Sequence, residues 1–201
     1  MDQLVSRAFD KWTAGKNSRE ARVAVFEKIR DIPYAVIPEL VDYATYADLL
    51  RINRGSCTPK HFLLCDMYQR LGLDVLYVTY PFRWDALGVP YPPDLERMAR
   101  TMPMRHHLAC RVEIEGRLVL VDATADLALE SLGIPVNKSW DGVSETLLPL
   151  EPLGSEEFYH PSEAPLMEGD FSDEARVFFK EMNAWLESVR RDPAITGRSN
   201  L

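Results

Sequence analysis

The chain has 201 residues, of which 46% are hydrophobic and 27% charged, and its formal net charge is −8. That length and apolar content are enough for one compact domain with its own core. The acidic balance argues against general nucleic-acid binding, which rests on neutralising phosphates with Lys and Arg, and no apolar run approaches the ~20 residues that cross a bilayer.

The first residues, Met1-Asp2-Gln3-Leu4-Val5-Ser6-Arg7, lack the basic start and apolar centre of a signal peptide, so the expected location is cytoplasmic. Helices are expected over 2–14 and 18–31, the second with Ser18 as its N-cap. Pro33 and Pro38 bracket an extended segment, Tyr34 to Ile37. A short helix over 43–52 should end before the turn Asn53-Arg54-Gly55.

Next comes Gly55-Ser56-Cys57-Thr58-Pro59-Lys60-His61-Phe62, where a loop becomes a helix. Gly55 and Ser56 suit a turn. Pro59 fits the first helical turn, where its missing N–H costs nothing. Phe62, Leu63, Leu64, Met67 and Leu71 then recur at helical spacing, and Gly72 ends the run. Cys57 therefore sits near the positive end of a helix dipole, a position that can bring a cysteine pKa to about 3.5–7.5. Cys65, inside this helix, and Cys110 read as small buried hydrophobes; all three thiols are expected reduced.

Leu73 to Phe82 reads as a strand. Residues 83–105 form an insertion rich in aromatics and prolines, with a short helix over Asp94 to Met102; Trp84 and Tyr91 are its candidates for a substrate wall. An alternating run from His107 to Ile114, the turn Glu115-Gly116, and Arg117 to Thr124 predict a hairpin. A two-residue turn sets Ile114 opposite Arg117 and, counting outward, Asp122 opposite Ala109 and His107 opposite Thr124. Asp122 and His107 are then diagonal neighbours on one face. His106 would face the other way; a bulge would exchange the two. Asp126 to Leu132 should be a short helix ending at Gly133, residues 134–171 irregular, and Ser172 to Arg191 a helix capped by Ser172.

Thiol, imidazole and carboxylate in this order are the parts of a nucleophilic triad. Cys57 would attack a carbonyl carbon, His107 would exchange the proton, and Asp122 would fix the imidazole tautomer. The backbone N–H of Cys57 is a natural oxyanion donor, with the Asn53 amide as a second candidate. His61, four residues after Cys57, could share its helix face, either as an alternative base or, with His106, as part of the substrate cleft. Cys57, His61, His106, His107 and Cys110 could instead converge on zinc, although no CxxC or HExxH spacing is present.

Gly55-x-Cys57 at a helix start, Leu71-Gly72-Leu73 leading into a strand, His107 on a strand and Asp122-Ala123-Thr124 on the next resemble the transglutaminase-like superfamily of papain-fold cysteine enzymes. Ile32-Pro33-Tyr34 and Ala47-Asp48-Leu49-Leu50 resemble the entry to that core, so the resemblance spans about 30–126. Leu108-Ala109 stands where Ala-Trp is common, and Ala123 replaces the proline of Asp-Pro-Thr; the triad side chains are intact.

The resemblance implies an α+β, papain-like fold: a nucleophile helix on an antiparallel sheet, flanked by N- and C-terminal helices. One domain over 1–195 is expected, followed by a disordered tail over 196–201. The implied activity is hydrolysis or acyl transfer at an amide bond through a Cys57 thioester. The expected substrate is peptide-like or another small amide, with no cofactor, metal, nucleic acid or membrane. Calcium, used by some transglutaminases, has no acidic loop of EF-hand type here. The alternatives are a non-catalytic ligand-binding or scaffold protein on the same fold and a zinc-dependent hydrolase.

Overall fold

The computed structural model describes residues 3–163 and 171–192; the expected tail over 196–201 lies outside them. The chain opens with helices α1 (Gln3–Thr13) and α2 (Ser18–Arg30). The α2 N-cap is Asn17, not Ser18. Its side chain accepts from the Glu20 N–H while Glu20 reaches back to the Asn17 N–H, a complete capping box that Ser18 cannot form from its place inside the helix.

The segment after Pro33 is extended, with a parallel bridge from Tyr34 to Gly55. The helix expected over 43–52 divides into a 3-10 turn, Tyr46–Asp48, and α3, Leu49–Ile52. Asn53 ends α3 in the left-handed conformation, φ 54°. The buried α4 (Cys57–Arg70) follows, then β1 (Val75–Phe82), α5 (Pro93–Thr101), β2 (Arg105–Ile114) and β3 (Arg117–Val121).

β2 and β3 pair in the expected register, Ile114 opposite Arg117 and Cys110 opposite Val121. Glu115 and Gly116 both have positive φ, 53° and 75°, the combination a type I′ hairpin turn requires. The second strand stops at Val121, three residues short of expectation, because the chain there turns to hydrogen bonds within the site. Residues 157–159, inside the stretch expected to be irregular, form a fourth strand, β4 (Glu157–Tyr159). The antiparallel sheet has the order β3-β2-β1-β4, and helix α6 (Asp173–Arg191) is capped by Ser172. The fold is α+β.

Of the three apolar clusters among the described residues, two pack the helices around the site. Phe62, Leu64 and Met67 of α4 pack with Val25 and Phe26 of α2 and with Leu108, Cys110 and Val121 of the sheet. Trp84, Leu95, Leu129, Phe178, Met182 and Leu186 form the second, joining α5, the 3-10 turn Leu127–Leu132 and α6.

α6 also grips the extended segment. The Asn183 side chain accepts from the Val36 N–H at 3.0 Å and donates to the Val36 carbonyl at 2.8 Å, as a neighbouring strand would. Arg190 donates to the Tyr34 carbonyl at 2.9 Å and pairs with the buried Asp126 carboxylate at 2.7 Å, which itself accepts from the Tyr34 N–H.

Candidate active site

Cys57 is the first residue of α4, after Ser56 in extended conformation. The approach to it is tight. A Cβ on Gly55 would lie 2.4 Å from Leu49 Cδ1 and 3.1 Å from Pro59 Cγ, so the chain enters the helix here because residue 55 has no side chain. The first-turn N–H groups of Cys57 and Thr58 have no intrahelical acceptor and form the positive end of the helix dipole.

His107 lies on β2 and Asp122 just past the end of β3. The hairpin register brings them together: the His107 Nε2–H donates to Asp122 Oδ2 at 2.5 Å. Asp122 Oδ1 accepts from the Thr124 N–H at 2.8 Å, and the Asp122 N–H donates to the Thr146 hydroxyl at 2.7 Å. With Nε2 held by the carboxylate, the other ring nitrogen is not used by Asp122, and the Cys57 thiol lies close enough for each group to act on the other's ionisation. Cys57, His107 and Asp122 are all buried, at 8%, 3% and 2% exposure.

Burial favours the neutral form of each group, yet all three pKa values move the other way. Burial opposes ionisation of the Cys57 thiol, but the charge and hydrogen bond of His107 and the Leu108 N–H carry its pKa below the ordinary value. Burial likewise opposes the imidazolium, but Asp122 and the Cys57 thiolate hold His107 up to about 10. Asp122 is desolvated too, and His107 brings it down to about 2. All three directions favour a thiolate–imidazolium pair backed by an ionised carboxylate.

His61 is buried and outside the cleft. Its Nδ1–H donates to the Cys57 carbonyl at 2.9 Å, and its Nε2 accepts from the Ala123 N–H at 3.1 Å. Both nitrogens are thus occupied by backbone, and burial lowers its pKa to about 4. The ring is a neutral strut between the nucleophile helix and the Asp122–Thr124 segment.

Lys60, in the first turn of α4, is fully buried. Its Nζ donates to the carbonyls of Arg30, Ile32 and Thr124 at 3.1, 2.8 and 2.7 Å, and burial brings its pKa down to about 7.

Asn53 is exposed on the turn after α3 and lines no cavity with Cys57; its place is that of a turn residue tolerant of positive φ. Trp84 is buried and Tyr91 half-buried, and both line cavity wall beside Cys57. His106 points away from His107, as strand alternation demands, and lines a different cavity. Sequence reasoning gave no role to Tyr34. It lines both cavities with Cys57, and burial, then the nearby thiolate, pushes its pKa well above the ordinary value, so it stays protonated. Its signal was the extended segment after Pro33 leading back to the Gly55 turn.

The two cavities meet at Cys57. The larger, about 510 Å³, is lined by polar and apolar groups, among them Arg105, His106, Glu157 and Glu163. The smaller, about 60 Å³, is walled by apolar side chains such as Leu129, Leu132, Ile134 and Leu186, with His107 and Thr124 beside Cys57. Among the described residues no three His, Cys, Asp or Glu side chains are placed together to hold a metal ion, so the five groups considered for zinc do not converge. Among the described residues no helix is long and apolar enough to cross a membrane. No protein-family model matches the sequence, and comparison with curated proteins and with solved structures finds no match.

Proposed function

We propose that the protein is a thiol-dependent amide-bond hydrolase or acyltransferase of transglutaminase-like type, on a papain-like core. The observation that carries this reading is the buried grouping of Cys57, His107 and Asp122, with His107 Nε2 2.5 Å from the carboxylate and the imidazole near enough to lower the Cys57 pKa. The motif resemblance over 30–126 agrees with it.

In this mechanism the Cys57 thiolate adds to the carbonyl carbon of an amide. The first-turn N–H groups of α4 face the developing oxyanion. His107 gives its proton to the departing nitrogen and the acyl group stays on sulfur as a thioester. Water or an amine, deprotonated by His107, then takes the acyl group and restores the thiolate. Asp122 keeps the imidazole in one tautomer throughout.

Alkylation of the native protein by iodoacetamide, read at each cysteine by mass spectrometry, tests the pair. Cys57 should react fast at pH ~6, where an ordinary thiol of pKa ~8.5 is under ~1% ionised. His107→Ala should slow it, and Cys65 and Cys110, both buried, should stay unlabelled. An ordinary thiol pH profile at Cys57, unchanged in the variant, would overturn the reading in favour of a non-catalytic ligand-binding protein.

A further inference from the structure

Resting on that reading, we infer that the substrate is bipartite about the scissile amide, with a short aliphatic amine as its leaving side and a polar acyl side. The two cavities share four wall residues, Tyr34, Cys57, Phe82 and Trp84, so the sulfur sits at their junction. Their chemistry differs. The larger carries Arg105, Glu157 and Glu163, charges of both signs. Apart from Cys57 and His107, the smaller has no ionised side chain.

The position of the base decides which arm leaves. A general acid must lie within hydrogen-bond reach of the atom it protonates. His107 borders the apolar cavity and not the polar one, so the departing nitrogen lies on the apolar side. Thr124 borders the same cavity, and its buried hydroxyl has no hydrogen-bond partner among the described residues; it supplies a polar contact for that nitrogen.

The sulfur–carbon bond forms as the carbon–nitrogen bond breaks. The His107 proton goes to the amine, and the polar acyl part remains in the larger cavity as a thioester. The size of the apolar cavity sets the length of the amine's carbon chain. About 60 Å³ is well under the ~150 Å³ of an apolar cavity that takes benzene. The cavity therefore takes a short aliphatic chain and refuses an aromatic ring.

A series of N-substituted iodoacetamides tests this. The reagents carry N-methyl, N-propyl, N-(2-hydroxyethyl) and N-benzyl groups. The rate of Cys57 alkylation is read by mass spectrometry and divided by each reagent's rate with N-acetylcysteine. Each buried methylene should speed alkylation about fourfold. The N-propyl reagent should thus exceed the N-methyl reagent by roughly tenfold or more, with no gain for hydroxyethyl and a loss for benzyl. Leu129→Phe, which fills the cavity, should shrink the propyl-to-methyl ratio. Fast labelling by iodoacetamide itself with a flat alkyl series overturns the bipartite substrate and leaves the activated thiol standing. Slow labelling by every reagent, with an ordinary thiol pH profile, overturns both.

Discussion

Asp122→Asn separates the electrostatic work of the carboxylate from its shape. His107 is held up to about 10, well above an ordinary imidazole, so the folded protein favours the imidazolium. Burial pulls the other way, and Asp122 is the foremost attraction that overcomes it. Asparagine keeps the volume and an oxygen for the Thr124 N–H but removes the charge. Burial then prevails, and His107 should titrate below 6.5. The proton returns to sulfur, and burial holds the thiol at or above the ordinary ~8.5, where the thiolate is about 1% of the population at pH 6.5. The thiolate absorbance near 240 nm, measured against pH with Cys57→Ser subtracted, reads this directly. The Cys57 step should move from below the ordinary thiol value to above it. Its alkylation near pH 6.5 should fall at least about tenfold, after allowing for the higher intrinsic reactivity of a more basic thiolate. A folded Asp122→Asn protein with an unmoved Cys57 step would refute the argument that the carboxylate sustains the ion pair.

Two further perturbations probe the support beneath the triad. His61→Ala leaves the buried Ala123 N–H without its acceptor and opens a hole under Cys57, at a cost of about 2–4 kcal/mol. The melting temperature should drop by roughly 5–15 °C with little change in the Cys57 pH step, because the ring is neutral; a shifted step would make His61 part of the titrating system. Lys60, held near 7 when folded against ~10.4 unfolded, loses its proton earlier in the folded state. Between those values the unfolded chain binds the extra proton, so the stability contribution of Lys60 rises with pH, and the full penalty of burying its charge is present below pH ~7. Relative to Lys60→Met, the wild type should gain roughly 2–3 kcal/mol between pH ~7.5 and ~9.5 in urea unfolding. A constant difference would show that the ammonium is not destabilised by burial.

The parts of this site that local rules govern were legible in the sequence. The Glu115-Gly116 turn set the hairpin register, and register placed Asp122 beside His107 on one face. The loop-to-helix grammar around Gly55 and Pro59 put Cys57 at a helix start. What failed depended on partners far along the chain. Lys60 reads as an exposed helix residue until carbonyls 28 and 64 residues away meet its ammonium. His61 looked like a catalytic or cleft group because its acceptor role towards Ala123, 62 residues on, leaves no local trace. β4 is three residues long, too short for alternation to mark it, and it exists because β1 offers an edge. The cavities are assembled from α6, the 83–105 insertion and the 3-10 turn at 127–132, whose meeting no spacing rule describes.

The grip of α6 on the extended segment has a consequence for the order of events during synthesis. Cys57, His107 and Asp122 all leave the ribosome before Asp126, but the arginine that pairs with Asp126 and holds Tyr34 follows 64 residues later. At about 5–20 residues per second that interval is about 3–13 s. Throughout it the growing chain carries its nucleophile and base without the helix that walls them in. The apolar cavity beside Cys57 gains its α6 wall only when Met182, Trp185 and Leu186 arrive, so elongation through α6 marks the change from a thiol open on every side to one approached through shaped cavities.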